Sequence, residues 1–600
     1  MENMKITPKE IFAEYANANE YKASIGDKGI FEQSKINEDF YIGNQWRGLN
    51  AGNSRPLCRR NLIKRIADYK ISSITAAPVA VNYSADGVPD NTGLKEQAEH
   101  YRQDIMGGAE FIGETDEAEI SVMTSIMSDY FRTTAERVKF DTKKETALRN
   151  AYISGTCVAY TYWDSSIKTG LYADEQRNVP IKGDIDFEIL NVENVCFGEP
   201  NCQDVQKQPF IIISQRLNCA DVRREAKRNK RSQEEIENIV PDGADAYKVN
   251  AGTLGEKEPT DSQRVTVLTK FFKQYDDSGD NYKVMAVKVT EKSVVREAWD
   301  TGLTLYPFAI MRWNTQNSCI YGSSDITYQI PNQIALNRGV SSAIWALLLS
   351  GMPKTVVNRD VVQQKITNNP GEIIEVYGAN EDVAGAVRHI SPPAFNGQLI
   401  TGLNNHADNM LTDNGATDAA LGTLRPDNAA AIIQSREASL QPLQLHQNSF
   451  YSFIEDIARI WADCWLNLYG NRRIRIEDKE GTYYIPFNAE RYKDLIINVR
   501  VDVGANPLWN VSSTIATLDV LLTNGIINKV QYLERLPQGI IPDKEGLLRE
   551  IRKEMQAAEQ QPTIPPTPTS DGSGVTGDIT AVAPPAMPEE VPQEVVPMEY

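Results

Sequence analysis

The sequence predicts a mixed α+β, helix-rich fold, and three observations predict it. Apolar residues recur at three and four in the first 150 positions, the period changes to two after Gly155, and residues 321–468 run as helix, β-rich insert, helix, small-residue loop and long helix. A first helix of about 28 residues spans roughly 40 Å at 1.5 Å per residue. Two such helices flanking a small β module suit a wall or strut better than an active-site cleft.

Taken in order, Val122, Met123, Ile126, Met127, Tyr130 and Phe131 mark a helix whose apolar stripe faces a core. Another helix is predicted over 61–75, ending before Pro78. Its start gathers Arg55, Arg59, Arg60, Lys64 and Arg65, which reads as a solvated or subunit-facing surface. Alternation with β-branched and aromatic residues predicts strands over 157–163, 184–190, 209–217, 264–275 and 282–289. Between them, residues 219–231 switch to helix, with Asn218 as N-cap.

That helix ends in Arg223, Arg224, Lys227, Arg228, Lys230 and Arg231, followed by Glu234, Glu235 and Glu237. No aromatic residues interleave to stack on bases, so the run reads as a charged outer face pairing with those acids rather than a nucleic-acid patch.

The series at 321–468 begins with Gly322 and Ser323 before a helix from about Ile326, whose apolar side is Ile334, Ala335, Val340, Ile344, Leu347 and Leu348. Pro331 is a kink or the start of its main part, and Gly351 and Pro353 stop it. Strands at 354–357, 372–377 and 387–390 form the insert, closed by Pro392 and Pro393. A second helix covers roughly 396–414. A loop with Gly415, Ala416, Gly422 and Pro426 precedes a long helix at about 428–469, kinked at Pro442.

Six hundred residues are room for roughly four domain-sized units. With 81 Asp plus Glu against 62 Lys plus Arg, the surface as a whole repels nucleic acid, and any DNA contact must be local or loose. Seven scattered cysteines without a C-x-x-C pair indicate neither a disulfide framework nor a zinc ribbon, and imply reducing synthesis. No apolar run reaches bilayer length and the first residues lack a signal-peptide core, so the expectation is a protein soluble as made.

Enzyme signals are weak. No P-loop motif occurs, and His100, His389, His406 and His446 stand alone, as structural histidines do. The run 276–281 starts like a calcium loop, yet its twelfth position is Val287 in a predicted strand, so a hairpin turn is the better reading. Asp184 and Asp186 share a strand face without a third ligand and read as a solvated face. No cofactor is expected.

Several stretches together resemble the portal, or head-tail connector, proteins of tailed double-stranded DNA bacteriophages. They are RPLCRRNLIKRIADYKIS (55–72), RNAYISGTCVAYTYWD (149–164), VENVCFGEPNCQDV (192–205), YGSSDITYQIPNQIALNRGVSSAIWALLLSGMPK (321–354) and LRPDNAAAIIQSREASLQPLQLHQNSFYSFIEDIARIW (424–461). Each alone is weakly specific; their order from about Trp46 to Glu554 carries the match.

The resemblance implies a portal fold with wing, stem, clip and crown, in a homo-oligomeric ring of typically twelve subunits around a central channel at one capsid vertex. Residues 1–320 would be the N-terminal and wing region, 321–352 the first stem helix, 353–393 the clip and 394–415 the second stem helix. The tunnel loop would be 416–427, the long wing helix with following strands 428–510, and the crown 511–560. Double-stranded DNA would pass the channel, driven by a terminase motor, and a tail or head-completion adaptor would dock later; major capsid and scaffold proteins are further implied partners, in the virion and, during assembly, the host cytoplasm. No membrane and no catalytic role are implied.

For DNA to slide, phosphate contacts must be few, since each adds a salt-sensitive term to binding. Candidate contacts are Lys354, Arg359, Lys365 and Arg388 in the clip and Arg425 in the loop, while Asp408, Asp413 and Asp418 would push the duplex from the wall. Residues 561–600, with nine prolines, six acids and no Lys or Arg, cannot bury enough apolar surface to order and are expected to be extended or disordered. Two other classes remain: a DNA-processing enzyme, for which no carboxylate cluster appears, and another structural virion component such as an adaptor or minor capsid protein, which would lack the helix, insert, helix, loop, long-helix series.

Overall fold

A computed structural model describes residues 7–46, 56–76, 79–85, 117–172, 180–242, 263–276, 281–351, 354–367, 373, 375–377, 387–390, 397–416, 441–478, 481–489, 497–503, 515, 518–536 and 547. The chain divides into two compact units, 1–510 and 511–600. The fold is mixed α and β, as expected.

The first unit opens with α1 (Pro8–Ser24), started by a capping box between Thr7 and Glu10, then α2 (Gly29–Ile42) and α3 (Leu62–Thr75), whose N-cap Asn61 accepts from the Lys64 amide. Strand β1 (Val79–Ala85) follows, then α4 (Glu117–Arg137) and α5 (Phe140–Ser154). The predicted stripe on α4 is in the main core: Val122, Met123, Ile126, Met127 and Phe131 are buried.

Next come β2 (Thr156–Tyr172), β3 (Pro180–Asn191), β4 (Val195–Phe197), β5 (Phe210–Asn218), α6 (Cys219–Arg228), α7 (Gln233–Glu237), β6 (Arg264–Tyr275), β7 (Tyr282–Val289), β8 (Val294–Asp300) and β9 (Phe308–Arg312). They form an antiparallel three-stranded sheet in the order β3-β2-β9 and a five-stranded sheet β4-β5-β6-β7-β8. Helix α1 lays Ile11, Phe12 and Tyr15 on the larger sheet against Ile212, Leu268, Val287 and Val289. Its Lys22 is wholly buried and donates to the Val192 and Glu193 carbonyls, which satisfies an ammonium that burial would otherwise penalise.

The remaining elements of this unit are α8 (Asp325–Gly351), β10 (Lys354–Val357), β11 (Val387–Ile390), α9 (Gly397–Asp413), α10 (Gln444–Leu468), β12 (Asn471–Asp478), β13 (Gly481–Asn488) and β14 (Ile497–Val503). Helix α10 carries Trp461 into a ring cluster with Phe131, Phe140 and Phe187, at centroid distances of 4.8, 5.9 and 6.0 Å. In the second unit, α11 (Lys529–Arg535) packs Leu533 with Leu518 and Leu536.

Several expectations need correction. Strand β1 interrupts the helical N-terminal region because its partner, β14, lies more than 400 residues on. Residues 373 and 375–377 are not strand, so the hairpin β10-β11 stands as a two-stranded sheet among the described residues. Helix α10 begins at Gln444, after a 3-10 turn holding Pro442, while 417–440 lie outside the described residues. Pro331 sits inside α8, a position that the first of its two sequence readings allowed.

Asp184 is buried rather than solvated: Tyr469 and the Ile185 amide donate to it and Arg137 pairs with it at 3.2 Å. The 276–281 turn joins paired strands β6 and β7 as a hairpin. Asn218 caps α6, and Arg231 pairs with Glu235, as the charged-face reading expected, and also with Glu297.

The α5–β2 turn is a close approach of backbone to backbone. Gly155 has φ +80°, and a Cβ there would collide with the Gly322 carbonyl just before α8. Gly155→Ala is therefore expected to cost about 2–4 kcal/mol, read as a lower urea midpoint at unchanged slope.

Candidate nucleic-acid and assembly interface

Helix α8 is held to the body by its polar side. Gln329, Gln333, Asn337 and Ser341 recur every fourth residue, so they stand above one another on one face. Gln333 accepts from the Leu62 amide at 3.0 Å and donates to the Arg60 carbonyl at 2.7 Å. Asn337 accepts from the Arg60 amide at 3.0 Å and donates to Gln45, and Ser341 accepts from the Cys58 amide at 3.0 Å. The ladder thus pairs the backbone of the extended segment 58–62 that crosses it.

The apolar side expected to seek a core does so along the first part of α8, where Ile334 and Val340 pack against the main core beside buried Leu336, and not along its last turns. Gln333 is 0% and Asn337 2% exposed, whereas Leu347 is 58% and Leu348 45% exposed, and Ile344 and Leu349 are exposed with them. Helix α9 packs beside α8, with Leu403 lying against Gly339, and its Leu399 and Ile400 are exposed as well. Only its last turns, through Ala407, Met410 and Leu411, are buried.

At the end of the helix pair, β10 and β11 pair Lys354 with Ile390 and Val356 with Arg388, which puts these four positions on one face. Val356 and Ile390 are half exposed, and Ile373 and Tyr377 beside the hairpin are exposed too. Arg359, Lys365 and Arg388 are exposed in this module, and Lys354 occupies the first position of β10. Asp408 and Asp413 are both exposed on α9, five residues and so about 140° apart, on opposite flanks of its buried stripe. The structure does not bring them to one face. Arg425 and Asp418 lie outside the described residues.

The root of α8 is a buried polar junction beside a cavity of about 460 Å³. Lys70 pairs with Asp325 at 2.7 Å, and Asn314 donates to the same carboxylate at 2.8 Å. Burial alone would raise Asp325; the Lys70 charge and these hydrogen bonds hold it below the usual carboxylate range. His446 stacks on Trp313 at 4.4 Å and its Nδ1 meets the Trp313 carbonyl. Burial pushes His446 below its ordinary value, with Lys70 in support and Asp325 opposing.

The ladder was missed because amides on a helix pattern read as solvent-facing; their four-residue spacing was the available signal. His406 approaches the Asn332 carbonyl and His446 packs on Trp313, as structural histidines do. Among the described residues, no three His, Cys, Asp or Glu side chains gather as a metal site, and no helix is long and apolar enough to cross a membrane. The chain matches no protein-family model and no curated protein.

Two outcomes follow. Asn337→Ala strands the Arg60 amide and should cost about 1–3 kcal/mol, with faster hydrogen exchange at Arg60 and Leu62. His446 keeps a folded-state value below 6.5, so the stability it contributes is full above about pH 6.5 and is lost as pH falls toward that lower value. The fall in Tm between pH 7.5 and 5.5 should be smaller in His446→Gln than in the unmodified protein.

Proposed function

We propose that this chain is the subunit of a phage portal: a closed ring through which double-stranded DNA is packaged and later leaves the capsid. One observation carries the reading. The helix pair α8–α9 is packed on the body at its root and leaves its far half, with Ile344, Leu347, Leu348, Leu399 and Ile400, exposed. Covering each such leucine is worth about 1.5–3 kcal/mol, so an apolar face of this kind favours a copy of itself alongside.

Wedge-to-wedge contact between unlike faces closes into a ring. The lone hairpin β10-β11 fits the same arrangement, since an isolated two-stranded sheet is marginal in water without further packing. In the ring, Arg359, Lys365 and Arg388 would recur around the mouth, with acidic surface elsewhere. Cations so placed meet phosphates loosely, and a duplex held weakly by many equivalent sites can slide. The terminase motor and, afterwards, the tail adaptor would engage the hairpin end; capsid and scaffold proteins would hold the outer face.

Native mass spectrometry with electron-microscope class averages of the full-length protein tests this. Closed rings of about twelve subunits with a duplex-wide channel are expected; a monomer or dimer, also in the presence of scaffold protein, would overturn the reading. Leu347→Glu with Leu348→Glu should disperse the rings while changing the stability of the single chain by no more than about 0.5 kcal/mol, because neither side chain is buried in it. Arg359→Ala with Arg388→Ala should keep the ring and impair packaging or ejection.

A further inference from the structure

A groove of about 620 Å³ runs between α10, the 203–206 loop and β9. Among the described residues, strand β9 is the end strand of its sheet and pairs only with β2. The Thr161 amide donates to the Pro307 carbonyl and the Trp313 amide to the Gly155 carbonyl. Antiparallel bonding alternates, so Ala309 and Met311 turn their backbone groups toward β2, and Phe308, Ile310 and Arg312 turn theirs away. Those three residues are the ones that line the groove. The Phe308 amide is used by the Tyr306 carbonyl, and Asn314 is paired with Ser323. Between these two points the Ile310 and Arg312 backbone is an open strand edge about three residues long, with no hydrogen-bond partner among the described residues.

The charges in the groove are unequally matched. Asp456 pairs with Arg459 at 3.3 Å, and Asp204 pairs with Lys207 at 3.5 Å. Arg312 donates to the Gln203 carbonyl, at 3.4 Å, and feels the Asp456 charge, but no carboxylate among the described residues lies within salt-bridge distance of it. Half-buried as it is, that guanidinium is short of the water that would otherwise stabilise it, and burial accordingly lowers its pKa.

We propose that the groove is a strand-addition site for an extended, acidic segment of another protein, which would pair with the Ile310–Arg312 edge and set a carboxylate on Arg312. Backbone pairing supplies affinity without sequence preference, and a bidentate carboxylate on Arg312 supplies the selection. The proposal does not rest on the ring reading, because the edge and a guanidinium without an ion pair at salt-bridge distance among the described residues are features of the single chain.

The test selects a random nine-residue peptide library against the full-length protein and measures synthetic winners by fluorescence anisotropy. Proline-free sequences carrying Asp or Glu should be enriched. Their binding should weaken about tenfold or more with Arg312→Gln and with Ser452→Trp, the latter filling the groove from an exposed position on α10. N-methylation of alternate peptide nitrogens in one register should abolish it. Thermal melts of both variants separate lost binding from lost fold, and the N-methylated peptides test the same point on the unaltered protein.

Failure of any peptide to bind, enrichment of basic sequences, indifference to N-methylation, or equal binding by folded Arg312→Gln would overturn the proposal. So would displacement of the peptides by single-stranded DNA with the same Arg312 dependence. A folded Ser452→Trp chain that no longer forms rings would instead make the groove a contact between copies, and would equally overturn it.

Discussion

Backbone packed against the protein has to be hydrogen-bonded, and the segment at 58–62 pairs with no strand among the described residues. It finds its partners on one helix, through Gln333, Asn337 and Ser341. Those bonds, together with the packing of Ile334, Leu336 and Val340 on the main core, set the rotation of α8 about its own axis. The same side of α8 continues past the ladder as Ile344, Leu347 and Leu348, within about 60° of Gln333 around the helix axis, so these residues are exposed because the helix runs on beyond the core, and the rest of the functional reading follows from their exposure. Helix α9 inherits the orientation by packing on Gly339, and the hairpin β10-β11 is carried at the far end of the pair.

The root of the pair is built to resist tilting. Lys70 and Asp325 form a buried ion pair with an additional donor in Asn314, and leaving either partner alone would expose an uncompensated charge to a low-dielectric interior. The Gly155–Gly322 approach adds a steric constraint of another kind, since backbone meets backbone with no side chain to give way. Polar pairing, charge pairing and close packing therefore act on the same few residues. A helix pair anchored this way can present its exposed far half at a repeatable angle, which a closed ring of identical subunits would need.

Charge is distributed to match. The chain is acidic overall, with 81 acidic against 62 basic residues, and most internal cations are spent on carboxylates or carbonyls, as Lys22, Lys70 and Arg231 are. Exposed Arg359, Lys365 and Arg388 at the hairpin end are local exceptions. Arg312 is an exception of a different sort, held in a groove beside an open strand edge.

Much of the architecture was legible in residue order. Alternation marked β6 and β7 at both ends, the three-and-four stripe marked α4, and Asn218 announced α6, because each signal is local and is satisfied within one element. Strand β1 was not legible, since its partner lies far along the chain, and Asp184 looked solvated because Arg137 and Tyr469 reach it only in three dimensions. The candidate site divides the same way. Sequence alone determined that α8 and α9 are long helices around a small β module, because period and breakers are properties of neighbouring residues. Only the tertiary structure decided how far along α8 burial extends: its first turns pack on the main core and on the 58–62 backbone, whereas Ile344, Leu347 and Leu348 lie past that contact and stay exposed, a limit that local period and hydropathy do not encode.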